Sequence, residues 1–234
     1  MRPFEIILLT LLGVGAIQIL FGTGKKNQTK LLLKFIFPVL LIHLFLEQYR
    51  WQMFPAYVSI ITLVFLQKNS IHSIIKFLFF IWMCLSVSLP AVIPIIKMPN
   101  LSGPYTVGST IHHWVDESRM EWFTDENPDD MRQIMVQFWY PAEKEKKVKR
   151  TPYVDHINTR TKAIGIAGGF PGFLVRHLKL TKTNSYINLE ADPVPAPFPI
   201  IIFSHGITSM RYIHTSFAEK LANHGYAVIG LDHS

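Results

Sequence analysis

Four long apolar runs occupy the first 97 residues of the chain, at residues 4–22, 31–46, 51–66 and 77–96. The first run has nineteen residues, enough for a helix to cross a hydrocarbon core of about 30 Å. In each run the apolar residues surround the whole helix instead of forming one stripe, which is typical of a membrane span. A secretory signal peptide, by contrast, has one short apolar region. The pattern therefore predicts a four-span α-helical transmembrane domain over residues 1–97.

The excess positive charge of the chain, a net +7, lies entirely in this apolar part. Residues 1–97 carry nine Lys and Arg against two Asp and Glu, whereas residues 98–234 carry fourteen of each kind. A surface that binds nucleic acid would need the excess on the polar part of the chain. We therefore expect a membrane, and no nucleic acid, as partner.

Lysines concentrate in the loops that follow the first and third runs. They are Lys25, Lys26, Lys30 and Lys34 at residues 23–34, and Lys68 and Lys76 at residues 67–76. The positive-inside rule makes both loops cytoplasmic. Four crossings then place the amino terminus and everything after Lys97 outside the cytoplasm, in an integral protein of the cell membrane. This orientation inverts if one of the two shorter runs, 31–46 or 51–66, is not a crossing.

Residues 98–234 show the pattern of a soluble α/β domain. After a Pro- and Gly-containing linker, strands are predicted at 105–115, 133–140, 199–203 and 226–231, a helix at 212–224, and partly helical segments at 153–166 and 173–189. The continuous apolar run at 199–203 is typical of a strand buried on both faces of a parallel sheet. Together with the helix and the strand that follow it, this run predicts a βαβ unit with parallel pairing.

The strand at 199–203 is followed by a turn, Ser204-His205-Gly206. A strand that ends in His-Gly before a helix is how serine hydrolases of the α/β type form half of an oxyanion hole. There a backbone N–H stabilises the developing negative oxygen, and a glycine lets the substrate approach the chain closely. An isolated His-Gly pair is more often a plain tight turn, so both interpretations stay open for the turn taken alone.

Five motifs occur in the order in which a known family has them. They are PYTVG at 104–108, DESRMEWF at 116–123, MVQFWYP at 135–141, IFSHG at 202–206 and ANHGY at 222–226. Over roughly residues 104–234 the chain resembles the platelet-activating factor acetylhydrolase family of the plasma and intracellular type II kind. The resemblance implies an α/β-hydrolase fold with a parallel or mixed sheet and a calcium-independent serine esterase without a cofactor. It also implies substrates with short or oxidised acyl groups on glycerophospholipids.

Few functional residues can be transferred through this resemblance. It implies that the backbone N–H of Ile207 is the first oxyanion-hole donor, and that His205 and Gly206 shape the turn. The chain contains no G-x-S-x-G sequence, which would form the nucleophile elbow. We therefore expect residues 98–234 to be the amino-terminal half of a hydrolase domain, inactive by itself, whose nucleophile, acid and histidine lie in absent sequence. The strand at 199–203 would then present an unpaired hydrophobic edge.

Other reactive residue types indicate no further site. Cys84 is the single cysteine of the chain and lies in an apolar run, so an intrachain disulfide is excluded. His112 and His113 are adjacent in a predicted strand, and adjacent side chains of a strand point to opposite faces. They are therefore poorly placed to bind one metal ion, and we expect no metal site.

Two hypotheses for the function follow. The leading one is a membrane-anchored serine ester hydrolase that removes short acyl groups from the sn-2 position of phospholipids, a step of lipid degradation. The alternative is a non-catalytic four-span membrane protein with a hydrolase-derived interaction domain. The two differ in whether the polypeptide, as the cell makes it, possesses a nucleophilic serine.

Overall fold

The chain forms two compact units. The computed structural model describes residues 1–23, 26–66, 72–121, 127, 129–143, 148–193, 197–206 and 209–232. Unit 1 comprises Met1–Ile95 and Phe173–Leu180, and unit 2 comprises Ile96–Gly172 and Thr181–Ser234. The division into functional domains at residue 97 stays a prediction.

Unit 1 consists of helices with apolar residues on all sides. They are α1 (Pro3–Phe21), α2 (Lys26–Ile42), α3 (Phe54–Leu66) and α4 (Ser73–Val92). A π-helical turn, His43–Glu47, follows α2, and a 3-10 turn, Trp51–Met53, precedes α3. Leu8, Leu12 and Leu63 are fully buried between the helices, while many large apolar side chains are exposed on the outside. An apolar outer surface of this extent suits contact with lipid or with another protein.

Two of the helices, α1 and α4, are long and apolar enough to cross a membrane. The segment Trp51–Leu66 is apolar but shorter. Helix α2 carries Lys30 and Lys34 in its first half and Pro38 in its interior, which lowers its mean hydropathy. Of the four predicted spans, two therefore meet the requirement of length and composition, and the other two are not confirmed.

Buried charges connect the helices at one end of unit 1. Glu5 and Arg50 have fully buried side chains, and Arg50 Nε lies 2.7 Å from Glu5 Oε1. The same guanidinium donates hydrogen bonds to the carbonyl oxygens of Ile93 at 2.7 Å and Pro90 at 3.1 Å. The start of α1, the segment before α3 and the end of α4 therefore lie together.

Unit 2 is built on a mixed sheet of six strands in the order β3-β4-β1-β2-β6-β5. The strands are β1 (Thr106–Met120), β2 (Met131–Ala142), β3 (Arg150–Pro152), β4 (Lys182–Ile187), β5 (Ile200–Ser204) and β6 (Ala227–Asp232). Two helices, α5 (Ile157–Gly168) and α6 (Thr215–Asn223), and two 3-10 segments, Gly172–Leu180 and Arg211–His214, complete the described elements. The βαβ unit predicted at the end of the chain is present, because β5 and β6 pair in parallel and α6 lies between them in sequence.

The core of unit 2 lies on one face of the sheet, under α6. Val107, Trp139 and Val228 of the sheet pack with Ala218 and Ala222 of α6, and all five are buried. Small alanines let the helix approach the sheet closely, so that the large indole of Trp139 fills the space between them.

Residues 173–189 were expected to be partly helical, and the 3-10 segment Gly172–Leu180 agrees with this, whereas the prediction missed strand β4 in the second half. Its inward positions are Thr183 and Ser185, both buried although both are polar. A strand that buries small hydroxyl residues has no apolar alternation, so the pattern that normally indicates a strand is missing.

The expectation that the strand at 199–203 is buried on both faces is also wrong. Ile200 and Ile202 are each 65% exposed. Their neighbour Phe203 points to the other face, where its ring stacks on Trp139 at 6.2 Å. Among the described strands β5 pairs with β6 alone and forms the edge of the sheet, so its second face has no described cover.

Candidate functional site

The candidate site is the turn that follows β5, next to the end of β6. Ser204 is paired with Leu231 in the parallel ladder. The residues that follow them in sequence, His205 and Asp232, therefore lie next to each other at the carboxyl ends of β5 and β6. The side chain of His205 is 9% exposed, and its Nε2 lies 4.0 Å from Asp232 Oδ1. Its other ring nitrogen, Nδ1, lies 3.0 Å from the carbonyl oxygen of Gly206 and can donate to it. The imidazole is therefore held in the turn.

Gly206 has an open side. A Cβ at this position would meet no atom of the described residues within 4 Å. Its φ is also outside the left-handed region that favours glycine. The described neighbours therefore impose no steric need for glycine here, and a turn-shaping role for His205 and Gly206 stays a prediction.

Ile207, the predicted oxyanion-hole donor, lies outside the described residues. Gly206 before it and Ser209 after it are described, and the N–H of Ser209 donates to the carbonyl oxygen of Gly206 at 3.1 Å. The role of the Ile207 amide therefore stays a prediction.

Beside this turn, four charged side chains form one cluster. They are Asp155, Arg160, Arg211 and Asp232, which come from the segment before α5, from α5, from the 3-10 turn after the site, and from the end of β6. Arg211 is fully buried and pairs with both carboxylates, at 2.7 Å from Asp155 Oδ2 and in close contact with Asp232 Oδ2. Arg160 also reaches both, at 2.8 Å from Asp155 and 3.0 Å from Asp232. Two positive and two negative charges thus compensate each other.

The sheet supplies a further contact to this cluster. Gln137 of β2 is buried, and its Oε1 accepts a hydrogen bond from Arg211 Nε at 3.2 Å. Its Nε2 donates to Ser109 Oγ at 3.0 Å. Arg211 is thereby connected through Gln137 to β1, which fixes its guanidinium against the sheet.

The electrostatics of the cluster favour ionised carboxylates. Burial alone would raise the pKa of Asp155, but the charges of Arg211 and Arg160 outweigh it, so the pKa lies below the ordinary 3.8. The rings of Tyr153 and Tyr212 meet edge to face at 5.4 Å. Burial raises the pKa of both phenols, so neither is a general base at neutral pH.

Sequence reasoning missed the four charged residues of the cluster. Asp155, Arg160, Arg211 and Asp232 are far apart in sequence and belong to no common motif. One signal was available for Asp232, because it ends a strand predicted to run parallel to β5. The carboxyl ends of parallel strands lie at the same edge of a sheet, where sites of α/β proteins form.

His112 and His113 have partners elsewhere on the sheet. Both lie on β1, where they contact Thr110 at 3.1 Å and Gln133 at 2.8 Å, respectively. Within the described ranges, no three His, Cys, Asp or Glu side chains are grouped as ligands of one metal ion. The expected absence of a metal and of a cofactor stays a prediction.

A mixed sheet with a parallel strand–turn–helix–strand unit and a site after the strand define unit 2 as an α/β domain. Residues 91–234, more than half of the chain, match the family described as platelet-activating factor acetylhydrolase, isoform II. The chain belongs to this family. The resemblance derived from the five sequence motifs is thereby confirmed.

Two curated relatives are also similar to the chain. A putative phospholipase A2 of Schizosaccharomyces pombe is 28% identical over 150 residues, which cover 58% of this chain and 32% of the relative. A platelet-activating factor acetylhydrolase of Cavia porcellus is 26% identical over 143 residues, which cover 58% of this chain and 28% of the relative. The chain thus spans about a third of the length of these relatives.

One solved structure is also similar, that of a ferulic acid esterase from Streptomyces cinnamoneus. It has 25% sequence identity and a TM-score of 0.45, over 59% of this chain and 36% of the esterase chain. The family assignment rests on the family match and not on this structure.

Proposed function

We propose that the protein is a membrane-anchored serine ester hydrolase that cleaves short acyl esters of phospholipids at the sn-2 position. The observation that carries the proposal is the family match over residues 91–234, which includes the whole strand–turn–helix–strand unit. The names of the two relatives, a phospholipase and an acetylhydrolase, support a lipid ester as the substrate class. No cofactor and no nucleic acid take part in the proposed reaction.

In the proposed mechanism, the turn after β5 supplies part of the oxyanion hole. When a serine attacks the ester carbonyl, the carbonyl oxygen becomes negative and needs preorganised N–H donors. The amide of Ile207 is the proposed donor, and its removal would lower kcat by about 10²–10³-fold. This chain contains no G-x-S-x-G sequence, so the proposal assigns it an oxyanion-stabilising part and no nucleophile. Alone, the 234-residue chain would then be inactive.

Membrane anchoring is proposed for unit 1. Its support is the two helices that are long enough to span and the exposed apolar side chains on the outside of the unit. We further propose that α2 and α3 cross as well, and that unit 2 lies outside the cytoplasm. An anchor of this kind would keep the enzyme close to substrates that reside in the bilayer.

A fluorophosphonate probe tests the proposed function, because it labels only an activated serine. The polypeptide as the cell makes it, in its native membrane, should be labelled and should release a short acyl group from a phospholipid ester. The 234-residue chain, expressed alone, serves as the matched control and should show neither reaction. Absence of labelling and of hydrolysis in the native polypeptide would instead support a non-catalytic membrane protein with a hydrolase-derived interaction domain.

A further inference from the structure

The candidate turn lies in a longer connection that is attached to the same short stretch of β6 at Ser204 and at Arg211. At the start of this connection, Ser204 is paired with Leu231 in the parallel ladder. At its end, the backbone N–H of Arg211 donates to Asp232 Oδ1 at 2.7 Å. Ser204 and Arg211 therefore lie against two consecutive residues of β6, Leu231 and Asp232.

The carboxylate of Asp232 contacts both sides of this connection. On one side its Oδ1 lies 4.0 Å from His205 Nε2. On the other side it accepts from the backbone N–H of Arg211 and pairs with the guanidinium of the same residue. Arg160 adds a third partner at 3.0 Å from Oδ2. The side chain of Asp232 thus holds Arg211 by hydrogen bonds and an ion pair and lies next to His205.

Arg211 needs the full guanidinium for its contacts. Its Nε donates to Gln137, one terminal nitrogen donates to Asp155, and the other donates to Asp232. A lysine has the same charge but only one nitrogen, and it cannot reach three acceptors with the planar fork of arginine. With no exposed surface, the side chain also has no access to solvent as a substitute partner.

We infer that Arg211 and Asp232 are positioning residues, which hold the His205–Gly206 turn where an oxyanion donor is required. The inference rests on the proposed function and goes beyond it by naming the groups that act through the turn. Catalysis by preorganised donors is sensitive to their position, since a displacement of about 1 Å can lower the rate about 10²-fold. Loss of either residue should therefore affect the transition state more than the bound substrate.

The test uses the polypeptide as the cell makes it, purified in detergent, with the variants Asp232→Asn and Arg211→Lys. Asp232→Asn keeps the size of the side chain and an acceptor for the Arg211 amide, so it should fold even if Arg211→Lys does not. Arg119→Lys is the matched control, because Arg119 forms an ion pair with Asp116 at 2.6 Å on the exposed part of β1. For each protein we would measure kcat and KM with a water-soluble short-acyl ester, the inhibition constant of a trifluoromethyl ketone, and the thermal unfolding midpoint.

We expect kcat of both variants to fall by roughly 10- to 100-fold while KM changes by less than about threefold. The inhibition constant of the ketone, whose adduct carries the oxyanion, should rise by about the factor by which kcat/KM falls. Arg119→Lys should match the wild type in all four quantities. A lower unfolding midpoint with unchanged kcat and unchanged ketone affinity would show a purely structural role and overturn the inference. A wild type that neither turns over the ester nor reacts with fluorophosphonate would overturn the proposed function, and the inference with it.

Discussion

Glu219 is a buried carboxylate that accepts hydrogen bonds from strand β4. It has no exposed surface, and one of its oxygens accepts from the backbone N–H groups of Asn184 at 2.9 Å and Ser185 at 2.8 Å. The Ser185 hydroxyl donates to the same oxygen at 2.7 Å. A helix side chain thus provides acceptors to β4, whose inward residues are too polar to be held by apolar packing.

Glu219→Ala should lower the free energy of unfolding of the 234-residue chain by about 3 kcal/mol or more, because several buried donors would lose their acceptor. Glu219→Gln keeps one amide oxygen as an acceptor and should cost less. Glu190 is exposed, and Glu190→Ala, the matched control, should stay within about 0.5 kcal/mol of the wild type. Urea denaturation in detergent, followed by circular dichroism, measures these differences. Equal stability of Glu219→Ala and Glu190→Ala would contradict the argument.

His177, in the 3-10 segment Gly172–Leu180, makes the stability of unit 1 depend on pH. The side chain is buried, and this burial lowers its pKa below the ordinary 6.5, against an opposing hydrogen bond to the carbonyl oxygen of Leu174. A histidine with a lowered pKa in the folded state binds its proton more readily when unfolded. Its contribution to stability is therefore complete above about pH 6.5 and is lost as the pH falls through the folded pKa.

His177→Asn removes the titration and keeps a donor near the position of Nδ1, which lies 3.0 Å from the Leu174 carbonyl oxygen. We expect the thermal midpoint of the wild type to fall more than that of His177→Asn between pH 7.5 and 5.5. Differential scanning fluorimetry of both proteins in the same detergent measures this. Parallel curves over the whole range would exclude His177 as the titrating group.

At the candidate site, the sequence predicts the turn but not its surroundings. His205 and Gly206 stand out because they interrupt an apolar run directly before a helix, which is a local signal. The Arg211 and Asp155 pair is a long-range contact between segments of irregular structure, and no local pattern specifies it. Contacts of this kind follow from the completed fold alone.

Among the elements, strand β5 shows what apolar content can and cannot predict. The run at 199–203 indicates correctly a strand in parallel pairing, since β-branched residues favour a pleated backbone. It does not indicate how many neighbours the strand has. Nor does it indicate whether both faces are covered, and Ile200 and Ile202 are exposed on a face of the sheet that has no described cover.

An exposed hydrophobic edge strand favours association between chains. We expect the 234-residue chain to self-associate in mild detergent, and Ile202→Lys to reduce this without unfolding unit 2, because the side chain of Ile202 is 65% exposed. Phe203→Lys is the matched control on the opposite face, where the ring packs on Trp139, and it should unfold the sheet. Size-exclusion chromatography with light scattering, together with circular dichroism, separates the two effects. A monomeric wild-type chain would contradict the expectation.

For the molecule as a whole, the main question is how often unit 1 crosses the membrane. The Lys76 amine donates to the carbonyl oxygen of Leu20 at 3.2 Å, which places the start of α4 at the end of α1. At the opposite end, the N–H of Phe4 donates to the Glu47 carboxylate at 3.1 Å. The link between α2 and α3 therefore lies beside the start of α1, and both helices extend between the two ends of the bundle.

This arrangement argues for four crossings, although among the described helices only α1 and α4 meet the length requirement. The segment Trp51–Leu66 has sixteen residues and a length of about 24 Å at 1.5 Å per residue. A bilayer core of about 30 Å can adapt to a short helix by local thinning at a modest cost. The alternative, with α2 and α3 outside the hydrocarbon, would leave their exposed apolar side chains in water.

Single cysteines distinguish the two topologies. In a Cys84→Ser background, Lys30→Cys, Tyr49→Cys and Ser102→Cys introduce one thiol each at an exposed position. With four crossings, a maleimide that does not pass the membrane should label positions 49 and 102 on intact cells, and position 30 only after permeabilisation. With two crossings, positions 30 and 49 share one side and position 102 lies on the other. Position 49 lies on the same side of the membrane as position 102 with four crossings, and on the same side as position 30 with two. Labelling of positions 49 and 30 from the same side would therefore reject the four-span topology, whatever the orientation of the protein.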